Sequence, residues 1–184
     1  MLARVEIPET KPAIELVDGR LVQKISGKRR HQELESRWTV ALKAWSDGRG
    51  DAYHEWRHEF TAPGHRFASL VPDVAYLSNE ALDALGPAAS ELPPRAPEVA
   101  VEILSSGEPE RVLNWKIGAY LAAGTTVVFV VDPPRRTVIV HALDPATCTA
   151  PTTRFGPGET VVHAALPGFA YQVDAMFEGL YLGG

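Results

Sequence analysis

The sequence predicts a mixed α/β domain: a β-sheet covered by helices, with a β-hairpin near the N-terminus. Three observations lead there. Residues 97–131 read as a buried strand, a turn, an amphipathic helix and a second buried strand. The next residues, 132–141, turn at Asp132-Pro133-Pro134 and return as Thr137-Val138-Ile139-Val140-His141, an antiparallel partner for that second strand. Ahead of all this, Asp18-Gly19 separates two short alternating runs, the signal of a tight hairpin.

Taken in order, residues 1–12 read as an extended arm, because Pro8 and Pro12 discourage helix. The hairpin follows from Ala13 to Ser26. Leu34, Trp38, Leu42 and Trp45 recur at spacings of four, four and three, so an amphipathic helix is expected from about Arg29 to Ser46, ending in the Gly48/Gly50 loop. Ala52–Phe60 is read as one strand with a polar side. His54 and His58 in it have the i, i+4 spacing of helical zinc ligands, but aromatic alternation favours a strand, so both are expected to face solvent. After Pro63-Gly64 comes the apolar run Leu70 to Leu77, then a short helix from Ser78 to Leu85 and a proline-rich loop from Gly86 to Pro97. In the central stretch Pro109 fits a helix start and Gly124 a helix stop. Thr149–Val162 is read as a hairpin around Gly156-Pro157-Gly158, and Val173–Leu180 as a final short helix.

The 184 residues fit one domain, 1–184, able to bury a core without disulfide or metal staples. With 45% hydrophobic and 22% charged residues the chain is of globular type, and no apolar run nears the roughly 20 residues that span a bilayer. No membrane association is expected. The lone cysteine, Cys148, excludes an intrachain disulfide, and with no signal-peptide pattern at the N-terminus the expected location is cytoplasmic. The net charge of −5 gives no global attraction for nucleic acid. Lys24, Lys28, Arg29 and Arg30, with Arg20 and His31 nearby, cluster locally and read either as a phosphate-facing edge or as a solvated loop.

Three charges sit where the pattern calls for apolar residues. Glu102 lies in the strand Val99–Leu104, Asp73 heads the apolar run after Pro72, and Lys116 flanks the apolar stripe of its helix, four residues before Tyr120. A carboxylate in an apolar strand costs several kcal/mol unless it is paired, protonated or bound to a cation. One shared functional site would account for all three. A capping role for Asp73 with a purely structural Glu102–Lys116 ion pair would account for them equally well.

The ordered series IELVDG, a His-started helix, VPDVAYL, PEVAVEILS, NWKIGAYLAAG and VVFVVDPPRRTVIVHAL resembles the Uma-type putative restriction endonuclease family of the PD-(D/E)XK nuclease superfamily, from about Ala13 to Phe177. The resemblance implies a restriction-endonuclease-like mixed sheet flanked by helices. Its Pro-Asp dipeptide falls on Pro72-Asp73 and its strand glutamate on Glu102. The lysine expected at residue 104 is replaced by Leu104, and the matching lysine is Lys116 on the following helix. Glu15 and His31 match accessory positions. What this implies is Mg²⁺-dependent hydrolysis of DNA phosphodiesters, with Mn²⁺ as a substitute: Asp73, Glu102 and the Ile103 backbone carbonyl hold the ion, Lys116 acts beside the attacking water, and Glu15 and His31 assist.

The alternative is a catalytically inactive nuclease-like module that binds nucleic acid or a protein partner. A serine or cysteine hydrolase fits poorly, because Cys148 lies in a polar stretch and Ser105-Ser106 lacks a nucleophile-elbow context. Cleavage of both strands would suit a homodimer, with Trp115, Phe155 and Phe177 as candidate contact residues.

Overall fold

The structure, a computed structural model, describes residues 7–25, 27–144 and 150–180. Ser26, Cys148 and the first half of the expected arm lie outside the described residues. Two sheets carry the fold. The smaller has four antiparallel strands, β1 (Ile14–Val17), β2 (Arg20–Gln23), β4 (His58–Phe60) and β5 (Ala68–Leu70), in the order β2-β1-β5-β4. The larger has six, β3 (Gly50–His54), β6 (Val74–Ser78), β7 (Val99–Ile103), β8 (Val127–Asp132), β9 (Thr137–His141) and β10 (Thr152–Phe155), in the order β10-β9-β8-β7-β6-β3. Among the described residues only β7 and β8 pair in parallel, across the helix that connects them. This is the mixed sheet that the strand-helix-strand stretch predicts.

Local sequence explains the turns. Asp18 and Gly19 both adopt positive φ, 50° and 73°, as a two-residue hairpin turn requires. Helix α1 (Arg29–Ser46) lays Leu34, Trp38 and Leu42 on one face of the large sheet, where the Trp38 and Phe129 rings lie 4.9 Å apart between centroids. Val99, Val101, Ile103, Val127, Phe129 and Val131 form the sheet side of this core. Helix α3 (Glu110–Ala122) covers the opposite face through Val112, Leu113, Ile117 and Tyr120, against Ala100, Val128 and Val130. The alternation of β7 thus sends Glu102 to the α3 side, with Ala100. Gly124, at φ 95°, ends α3 where the left-handed region is needed.

Several expectations are corrected. Residues 52–60 do not form one strand: Glu55, at φ 50°, breaks the run, and β3 and β4 enter different sheets. His54 is exposed as expected, but His58 is fully buried, its Nδ1 2.9 Å from the Arg95 carbonyl. The loop expected from Gly86 instead continues helix α2 (Asn79–Glu91) beyond a kink at Gly86, because Pro87 can start a helical turn. Pro109 is the cap of α3, one residue before the helix begins. The described part of the hairpin expected over 149–162, residues 150–162, does not pair with itself; β10 pairs with β9, whereas β11 (Thr160–Val161) pairs with β12 (Tyr171–Gln172). The last helix, α4 (Val173–Phe177), is shorter than expected, and Phe177 is buried in the α1-side core, so it is no exposed contact residue. Trp115 and Phe155 are half-buried. No helix among the described residues is long and apolar enough to cross a membrane.

Candidate active site

The chain leaves the small sheet and enters the large one through Val71-Pro72-Asp73, between β5 and β6. A proline here removes a donor where no ladder continues, so Asp73 heads β6 from the seam between the sheets. Its Oδ2 accepts the Ile103 N–H at 2.6 Å, which ties the seam to the end of β7. Its Oδ1 meets Lys24 Nζ at 2.6 Å and His31 Nε2 at 3.1 Å. Lys24 also donates to the Val71 carbonyl at 2.8 Å. Asp73 is therefore gripped by the hairpin, by α1 and by β7 together.

A second group of charges lies on the α3 side of β7. Lys116 Nζ is 2.7 Å from Glu102 Oε2 and 3.1 Å from Glu15 Oε1. One helical turn on, the Tyr120 hydroxyl donates to Glu102 Oε1 at 3.0 Å. Glu15, from β1, also accepts the Val71 N–H at 2.8 Å. All four side chains are buried, and Lys116 is only 1% exposed, so the lysine is a sealed bridge between two carboxylates from different sheets.

The two groups meet at a cleft of about 120 Å³ lined by Glu15, Lys24, His31, Asp73, Glu102 and Ile103, among others. Of the residues picked out from the sequence, Asp73, Glu102, Ile103, Glu15 and His31 line this cleft, and Lys116 sits beneath it. A larger hollow, about 810 Å³, opens between β3 and α2 around Tyr53, Trp56 and Asp83, and none of the predicted site residues reaches it.

Electrostatics follow from burial and pairing. Burial alone would raise the Asp73 carboxyl, but Lys24 and His31 outweigh it and hold the group well below the usual carboxylate range. Burial pushes Glu102 up against the pull of Lys116, and the negative charges of Asp73 and Glu15 add to the rise. Lys116 is held above its ordinary value, because Glu102 and Glu15 overcome the burial that favours a neutral amine. For Lys24 too, burial is outweighed, chiefly by Asp73, and the group is raised to about 12. His31 is raised to about 10: burial opposes the shift, but hydrogen bonds to Asp73 and Glu35 prevail.

Three participants were missed in the sequence. Lys24 was assigned to a basic surface cluster, yet its N–H pairs with the Ala13 carbonyl, and strand alternation puts it on the same hairpin face as Glu15. Glu35 lies four residues after His31 and next to Leu34, on the buried side of α1, and meets His31 Nε2 at 3.3 Å. Tyr120 was noted only as an apolar neighbour of Lys116. Among the described residues, ligand atoms of His31, Glu35 and Asp73 all lie within 4.8 Å of one another, a grouping able to hold a metal ion. Ser105 Oγ, 3.2 Å from His31 Nδ1, steadies the far side of the imidazole.

A family model described as Uma2, putative restriction endonuclease, matches residues 2–174. A solved structure similar to this fold is that of a putative nuclease belonging to DUF820 from Anabaena variabilis ATCC 29413, 24% identical, covering 93% of each chain with a TM-score of 0.78. No curated protein matches the chain.

Two outcomes follow from these pairings. Lys116→Met should destabilise the fold by about 3–5 kcal/mol in urea unfolding, because two buried carboxylates lose their cation. The double variant Lys116→Met/Glu102→Gln should recover part of that loss. In the absence of divalent ions, the stability contributed by His31 should be full below pH 6.5 and fade as pH rises towards about 10, since its folded value lies above its unfolded one. The stability gap between parent and His31→Gln, compared by urea unfolding at pH 6 and pH 10, should narrow accordingly.

Proposed function

The chain belongs to the Uma2 family, described as putative restriction endonuclease, and from that premise we propose that it is a Mg²⁺-dependent endodeoxyribonuclease. The observation that carries this reading is the convergence of Asp73 and Glu102, from different strands, on one small cleft backed by a buried lysine. The donor set fits a hard divalent cation. Asp73 Oδ2 and both Glu102 oxygens each have one protein partner and a lone pair to spare, and Asp73 Oδ1 already holds cationic partners, the Lys24 ammonium and His31. Asp73, Glu102 and the Ile103 carbonyl would hold the ion. Mg²⁺ or Mn²⁺ bound there would lower the pKa of a water and offset charge at the scissile phosphate.

The chain's own residues do the rest. Lys116 and Tyr120 fix both oxygens of Glu102 in one orientation, and Lys116 adds positive charge behind the site where negative charge develops. Glu15 holds the second side of Lys116 and, through the Val71 N–H, the start of the Pro72-Asp73 link. His31, an imidazolium at neutral pH without metal, faces the cleft where a phosphate oxygen would lie. Burial keeps this constellation preorganised, so little reorganisation remains for the reaction itself. Action on both strands of a duplex would suit a cytoplasmic homodimer.

A second reading, an inactive nuclease-like module that binds nucleic acid or a protein partner, is favoured by Leu104 standing where the superfamily motif has its lysine. The two separate in one assay, cleavage of labelled single- and double-stranded DNA in Mg²⁺ or Mn²⁺. The nuclease reading expects activity abolished by EDTA and reduced at least about a hundredfold in Asp73→Asn and in Glu102→Gln. Equal cleavage by parent and variants would contradict it.

A further inference from the structure

We propose that Lys24 is an exchangeable counter-ion: its ammonium holds the divalent cation's place on Asp73 until the ion binds, and then moves to the substrate phosphate. The inference rests on the nuclease reading above and assigns a role to a residue outside the matched motif.

The site has two lysines, and their surroundings differ. Lys116 is sealed in, 1% exposed, spans Glu15 and Glu102, and does not line the cleft. It can neither leave nor touch a ligand without stranding two buried carboxylates. Lys24 lines the cleft, keeps 12% of its side chain exposed, and contacts Asp73 through a single oxygen at 2.6 Å. Its other partner there is the neutral carbonyl of Val71. A lysine on a flexible four-carbon stem can swing between neighbouring acceptors at little cost, whereas a rigid guanidinium fork could not.

Charge favours the exchange. Around the seam, the carboxylates of Glu15, Glu35, Asp73 and Glu102 face the cations Lys24, Lys116 and His31. Asp73 Oδ1 already carries Lys24 and His31, so a divalent ion beside it makes three positive centres on one oxygen; His31 is also tied to Glu35 and Ser105, whereas Lys24 sits on a flexible stem with only a neutral carbonyl as its other partner. An incoming phosphodiester brings the negative charge that receives it. Lys24 stands one residue past β2, on the hairpin's Glu15 face, so the N-terminal hairpin becomes the arm that carries a cation to the substrate.

The test uses the full chain as parent, Lys24→Met, Lys24→Arg and Asp73→Asn. Mn²⁺ affinity is measured by calorimetry, and affinity for a labelled DNA duplex by fluorescence anisotropy in Ca²⁺ across a salt series. Thermal melting in EDTA establishes that each variant is folded, and Lys24→Arg keeps the charge should Lys24→Met fail to fold. Lys24→Met should bind Mn²⁺ about tenfold tighter or more, because a competing cation is gone. It should bind duplex more weakly, with a log–log salt slope reduced by about one. Lys24→Arg should bind Mn²⁺ no tighter than the parent. Unchanged or weaker Mn²⁺ binding in Lys24→Met, with Asp73-dependent binding intact in the parent, overturns the exchange while leaving the nuclease reading standing. Tighter Mn²⁺ binding with unchanged duplex affinity overturns the transfer to phosphate. Failure of both parent and Lys24→Met to bind Mn²⁺ overturns both readings.

Discussion

The structure depends on charge buried at the seam between its two larger sheets. Lys116 joins Glu15 of the small sheet to Glu102 of the large one, and all three are withdrawn from water. Such an arrangement is not a cheap source of stability, because desolvating the ions offsets most of their attraction. What it provides is position. Because Lys116 is committed to a carboxylate from each sheet, a shift of one sheet against the other would strand a buried ion.

The rest of the fold serves that seam. Strand alternation divides β7 between two layers, giving its valines to the Trp38 core and Glu102 to the α3 side. Pro72 marks the crossing from one sheet to the other, and Asp73, the next residue, receives an N–H from β7, an ammonium from the hairpin and an imidazole from α1. Three elements thus converge on one carboxylate. The opposite pulls on Asp73 and Glu102, one held low by its cations and the other pushed up by burial, give the cleft one firmly ionised carboxylate and one responsive to an added cation.

Much of this was legible in the sequence wherever the signal was periodic. The spacing of Leu34, Trp38 and Leu42 predicted α1 with its bounds, and the misfit of Glu102 in an apolar strand singled out a residue that lines the cleft. Periodicity was silent where tertiary pairing decides. Residues 52–60 alternate like one strand, but a positive-φ residue at Glu55 divides them between two sheets. His58 was expected outside with His54, on the polar side of a single strand; the small sheet buries it, with the Arg95 carbonyl as partner. Lys24 was hidden by its company, since beside Lys28, Arg29 and Arg30 it reads as one more surface cation. The hairpin register alone separates it from them.

The central claim is that this charge network is a divalent-cation site in which protein cations stand in for the ion. The most direct measurement is a crystal structure with Mn²⁺, with the ion located by its anomalous scattering. The account predicts one peak within about 2.0–2.6 Å of oxygens from both Asp73 and Glu102, with Lys24 Nζ withdrawn from Asp73 Oδ1. A peak elsewhere, or Lys24 still bound to Asp73 with no ion beside it at saturating Mn²⁺, would contradict it.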